Sequence, residues 1–148
     1  MIKVRVLIKM KQKNKEILDE VNDEIEFSLK DAKGIIAHQR RLAFVLSLGT
    51  LTLIENYLDE LKVFKSGGTI KHEWLKKKKD NAKKFISNQI TCPIEQVKDI
   101  DELLDMAYNL EEERNKQAYG KNISEEILKE KLNKFLEFKK KLLKLQNA

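Results

Sequence analysis

A chain of 148 residues has the length of one domain, and with 41% apolar residues it can bury a core. Its 36% charged residues, five Gly and one Pro leave few tight turns and much solvated helix surface, which points to an all-α protein and against Gly-rich or Pro-rich architectures. A formal net charge of +6 favours an anionic partner such as RNA, DNA or an acidic protein through salt-sensitive attraction, although a solvated Lys-rich surface has the same composition.

Met1 to Met10 alternates Ile2, Val4, Val6 and Ile8 with Lys3, Arg5 and Lys9, as a half-buried strand does. No other segment offers a partner strand. A flexible lead-in to the first helix is therefore expected, with pairing between chains as the alternative. The scattered charges exclude a signal peptide. From Met10 onward the spacing Met10, Ile17, Val21, Ile25, Leu29 predicts one amphipathic helix, ended or kinked at Gly34. Asp19, Glu20, Asp23, Glu24 and Glu26 spread around it as a solvated acidic surface.

The second predicted helix, about Ile35 to Phe64, is apolar on nearly every side between Leu42 and Ile54, which suits the centre of a bundle or a subunit interface. That run is shorter than the ~20 residues of a bilayer span and is closed by Arg40, Arg41 and Glu55, so a cytoplasmic protein without a membrane segment is expected. Ser47, Gly49, Thr50 and Thr52 permit close approach of a neighbouring helix, from the same chain or from a second copy. His38 and His72 have no ligand set beside them in sequence and read as surface or packing residues.

Ser66-Gly67-Gly68 marks a loop with Thr69 as a cap, and a third helix is predicted over roughly Ile70 to Gln89. It buries Trp74, Leu75, Ala82, Phe85 and Ile86 and exposes Lys76, Lys77, Lys78, Lys79, Lys83 and Lys84, six lysines in nine residues. As mobile point charges these suit phosphate contact without base specificity, and they equally form a solvated surface. Cys92 is the single cysteine, which rules out an internal disulfide and a Cys-based zinc site. Asp99, with Glu102 three positions on, is a capping-box-like start for a fourth helix whose stripe is Ile100, Leu103, Leu104, Ala107 and Leu110.

Seven residues beyond Ala107 that stripe reaches Arg114, and an arginine there must pair, snorkel or line a groove. Gly120 ends the segment. Ser124, with Glu125 and Glu126 at the positive end, opens the last helix, whose inner face is Leu128, Leu132, Phe135, Leu136, Leu142 and Leu143. No internal repeat, Gly-rich phosphate loop, nucleophile elbow or zinc motif occurs, so no cofactor or metal is expected.

Arg114-Asn115-Lys116-Gln117-Ala118-Tyr119-Gly120, at a helix end before a turn and an acidic helix start, resembles the RN-x-x-A-H-G signature of the HEPN family. The layout also resembles that family: a long first helix, a very apolar second, and the motif between the last two. The resemblance implies an up-and-down four- to five-helix bundle that forms a homodimer. It also implies metal-independent RNA cleavage in a prokaryotic toxin–antitoxin or defence system, with Arg114, Asn115 and Tyr119 at the active-site positions. Arg114 would brace phosphate charge and Asn115 hold an oxygen. Tyr119 stands where the family has His, and a phenol titrating near pH ~10 is a poor general base, which argues for altered or lost cleavage. On one straight helix Arg114 and Tyr119 would point about 140° apart, so a break or a two-fold-related copy is required. The other class open to such a bundle is a non-enzymatic interaction module that binds a partner such as the small nucleotidyltransferases family members often accompany. A structural helical protein with no RNA role is the third reading.

Overall fold

The computed structural model describes residues 11–112, 114 and 122–147, and shows an all-α bundle. The expectations for Met1 to Met10, Asn115 and Tyr119 lie outside the described residues. Four long helices, α1 (Gln12–Lys30), α2 (Gln39–Glu60), α5 (Ile100–Glu112) and α6 (Glu125–Gln146), form the bundle. Two short helices, α3 (His72–Leu75) and α4 (Lys79–Ser87), lie between α2 and α5 in sequence.

Cross-links fix the directions. Lys11 at the start of α1 reaches Asp59 near the end of α2, while Glu24 meets Arg41 at the opposite ends, so α1 and α2 are antiparallel. Ser47 meets Glu111, and the Tyr57 hydroxyl donates to the Lys98 carbonyl at 2.9 Å, so α5 runs against α2. Lys141 pairs with Asp99 and Glu102, which sets α6 against α5. The order is thus up, down, up, down.

On α1 the buried stripe is Asn14, Leu18, Val21, Ile25 and Ser28. Leu29, expected inside, is exposed, and Ser28 takes the core side with its hydroxyl bonded to the Glu24 carbonyl at 2.7 Å. The expected second helix is a 3₁₀ turn over Ile35–His38 followed by α2, and it stops four residues short of Phe64. Lys62 has a left-handed backbone (φ 59°), and the extended chain beyond it is tied to a second segment through Lys65 N–H to Gln89 O and Thr91 N–H to Val63 O. Phe64 and Ile90 form the bridge there. Gly68 fits because a Cβ would lie 2.7 Å from the Gln89 carbonyl.

The third predicted helix is broken at residues 76–78. Four consecutive lysines within about one turn repel one another in a continuous helix. The fold-back lets Phe85 stack on Trp74 with centroids 5.6 Å apart, where an unbroken helix would separate them by about 16 Å. Phe85 remains 41% exposed, contrary to the expected burial. Asp99 does open α5, with its carbonyl accepting from Leu103 N–H, but its carboxylate faces Lys141. Ser124 caps α6 as expected, Oγ accepting from Ile127 N–H at 3.2 Å. On α6 Phe138 replaces Leu136 and Leu143 at the core.

Helix α2 is the hub. Gly49 lets Phe135 of α6 and Val21 of α1 close on it, and an added Cβ would fall 2.7 Å from Phe135 Cζ and 3.2 Å from Val21 Cγ1. Gly49 thus serves packing within the chain. By length and composition Ile35–Glu60 would suffice to cross a bilayer, longer than the Leu42 to Ile54 run suggested, and 67% of its most apolar window is buried by the other helices.

Candidate functional site

Arg114 is still helical just beyond α5, where the stripe of Ile100, Leu103, Leu104 and Ala107 emerges from the core. Its guanidinium carbon stands 4.8 Å from the centroid of the Phe44 ring on α2, a cation–π contact of about 0.5–2 kcal/mol. Its Nε is buried without a hydrogen-bond partner. The guanidinium borders a narrow pocket lined by Leu46 and Ser47 of α2, Leu110 before it, and Lys131 and Lys134 of α6. The space is about 20 Å³, room for one water-sized group such as an anion's oxygen. Three cationic side chains therefore share one opening.

Glu111, one turn before Arg114, does not pair with it. Glu111 is buried, and Ser47 donates a 2.6 Å hydrogen bond to its Oε1. His72, at the start of α3, places Nε2 against Ser47 Oγ and 2.9 Å from Glu111 Oε2. That second contact is poorly aligned, so Oε2 has no formed hydrogen bond. An unpaired buried carboxylate is costly, and this trio is what permits Glu111 in the core. The trio also pins α2, α3 and α5 together beside Arg114.

Across the gap, Gln39 Oε1 accepts from Ile123 N–H at 3.0 Å and Arg40 reaches Asn122, so the start of α2 anchors the chain as it enters α6. His38 is buried between Glu24 (3.1 Å) and Asp31 (2.7 Å), edge-on to Phe27. The Lys33 backbone N–H, and then His38, hold the Asp31 carboxyl below the usual carboxylate range. This histidine joins α1 to α2, a packing role.

The six lysines do not form one surface. Lys83 bonds Asp101 at 2.9 Å and lies 3.8 Å from Glu95, and Lys79 lies 3.6 Å from Asp105. The Asp101 hydrogen bond raises the Lys83 ammonium pKa and lowers that of the carboxyl. Lys77 sits 5.4 Å over the Phe85 ring, and Lys76, Lys78 and Lys84 are exposed. Asp101 and Arg114 are about 20 Å apart along the helix axis, so no single phosphate contacts both groups.

Sequence reasoning treated Ser47 as a packing residue and His72 as having no ligand set beside it, and gave Glu111 no place in the core. The signal for Glu111 was present: it continues the Leu103, Leu104, Ala107 stripe by four, and a carboxylate there needs a buried partner. Nothing local announces His72, which reaches Ser47 from 25 residues away. Among the described residues no three His, Cys, Asp or Glu side chains are grouped to hold a metal ion. Comparison with protein-family models, curated proteins and solved structures finds no match.

Proposed function

We propose that this chain is an RNA-directed bundle of the HEPN type, from a prokaryotic toxin–antitoxin or defence system, in which Arg114 receives a backbone phosphate. The observation that carries this reading is the guanidinium itself. It is steadied on Phe44, has an unpartnered buried Nε, and opens with Lys131 and Lys134 on a pocket of oxygen size. A planar donor pair over an anionic centre is the arrangement that stabilises a phosphoryl transition state. The up-and-down order and the motif-like sequence around Arg114 agree with it, as does the net charge of +6. On this reading the protein is cytoplasmic and acts as a homodimer, with cleavage altered or lost through Tyr119.

A second reading has its own support. Phe44 (43% exposed), which carries the Arg114 guanidinium, and Leu48 (40%) stand one turn apart on the central helix. Such a surface suits an interaction module docking a partner protein, for example a small nucleotidyltransferase. Purified protein incubated with total RNA and no added divalent metal separates the two. Degradation that Arg114→Ala abolishes supports the RNA reading. Intact RNA, with no salt-sensitive binding, refutes it and leaves the interaction module.

A further inference from the structure

Of the Ser47, His72 and Glu111 trio, Ser47 is the member that lines the Arg114 pocket. Counting protons gives the trio a direction. Ser47 has one hydrogen, and with Glu111 ionised it is donated to Oε1 at 2.6 Å. The Ser47 oxygen must then accept at its contact with His72, which puts the imidazole proton on Nε2. The chain of donation runs from His72 through Ser47 to Glu111. A hydroxyl oxygen has two lone pairs, and His72 occupies one. The other is left for whatever enters the pocket that Ser47 lines beside Arg114. A hydroxyl whose proton already points at a buried carboxylate, and whose oxygen can take another proton, is a relay.

We propose that Ser47 and Glu111 form a proton-accepting relay for a ribose 2′-hydroxyl whose adjacent phosphate is held by Arg114, with His72 fixing the orientation of Ser47. The proposal rests on the RNA reading above and names the base which that reading lacks, since Tyr119 is poorly suited to the role. In the step, the 2′-oxygen forms a bond to phosphorus and the bond from phosphorus to the 5′-oxygen breaks. The 2′-hydroxyl proton passes to Ser47 Oγ while the proton of Ser47 passes to Glu111 Oε1, and the departing 5′-oxygen takes a proton from solvent. The products are a 2′,3′-cyclic phosphate and a 5′-hydroxyl. Arg114, three residues after Glu111, offsets the charge that gathers on phosphorus oxygens. Ser47 is the catalytic residue here; Glu111 and His72 act through it. A purely structural link would not need Ser47 at the pocket wall.

The test uses the full chain, a short RNA oligonucleotide and folding checked by circular dichroism. The wild type is expected to release a 2′,3′-cyclic phosphate. Ser47→Ala and Glu111→Gln should lower kcat by about 10²–10³-fold with KM little changed, and Ser47→Thr, which keeps the hydroxyl, should recover part of the loss. A structural role would lower the melting temperature and leave kcat in place. If the wild type cleaves and Glu111→Gln keeps kcat, the relay is wrong and the RNA reading stands. If the wild type leaves the oligonucleotide intact, the cleavage reading fails and the relay with it. An oligonucleotide with 2′-deoxyribose at the cleaved position, offered to the wild type, gives a check that needs no variant: cleavage there would overturn the proposal.

Discussion

Replacing Gly49 by Ala tests the packing that holds the bundle together. The new methyl carbon would lie 2.7 and 2.9 Å from Phe135 Cζ and Cε1 and 3.2 Å from Val21 Cγ1. Ordinary carbon contacts fall at about 3.5–4.0 Å, so the overlap with the ring is about 0.8 Å or more. Phe135 and Val21 are themselves buried, which leaves the ring nowhere to swing and forces α1 or α6 away from α2. Overpacking of this kind costs about 1–3 kcal/mol. Alanine returns about 1 kcal/mol of helix propensity relative to glycine. The net loss is then about 0–2 kcal/mol, a fall in Tm of up to roughly 8 °C for a chain of this size. Urea and thermal unfolding followed by circular dichroism give both numbers. The double variant Gly49→Ala, Phe135→Leu should recover part of the loss relative to the sum of the singles, because the shorter side chain removes Cζ. A Gly49→Ala protein that melts above the wild type would show propensity winning and would refute the close three-helix contact.

Ser124→Ala should destabilise by about 1 kcal/mol through the lost cap at Ile127 N–H, read as a lower urea midpoint at unchanged m. Stability should fall at both pH extremes. Asp101, held low by Lys83, and Asp31, held low by the Lys33 backbone N–H and His38, contribute above the ordinary carboxylate range and lose that contribution as pH drops through their lower folded values. Lys83 and Lys141, raised by Asp101 and Glu102, and Tyr57, raised by burial, contribute below their ordinary values and lose it as pH rises past them. A melting temperature flat from about pH 3 to 11 would contradict both assignments. If RNA binds, converting Lys76, Lys78 and Lys84 to Gln should flatten the dependence of log K on log salt by roughly 2, and an unchanged slope would remove those lysines from the interface.

The all-α class, the central place of α2 and the Ser124 cap were legible because each is a local pattern: period, apolar run, cap residue. The break at residues 76–78 was not, since the apolar positions Trp74, Leu75, Ala82 and Ile86 fit a continuous helix equally well. Its cause is charge crowding together with a ring stack between residues 11 apart. Phe85, Leu29, Leu136 and Leu143 show that apolar type alone does not decide which residues face the core at the edge of a stripe. At the site, the position of Arg114 followed from counting along α5, whereas its seat on Phe44 depends on how α2 crosses α5. The Ser47 and His72 contact joins segments whose pairing is set by the loop between them, and no spacing rule encodes it.

The most direct measurement is the side-chain Nε–H resonance of Arg114, followed by nuclear magnetic resonance as a short single-stranded RNA is added. The account predicts that the Nε–H, now without a partner, shifts with a saturable dependence on RNA and that the shift weakens in high salt. An Arg114 signal that stays in place while RNA binds elsewhere on the protein would contradict it.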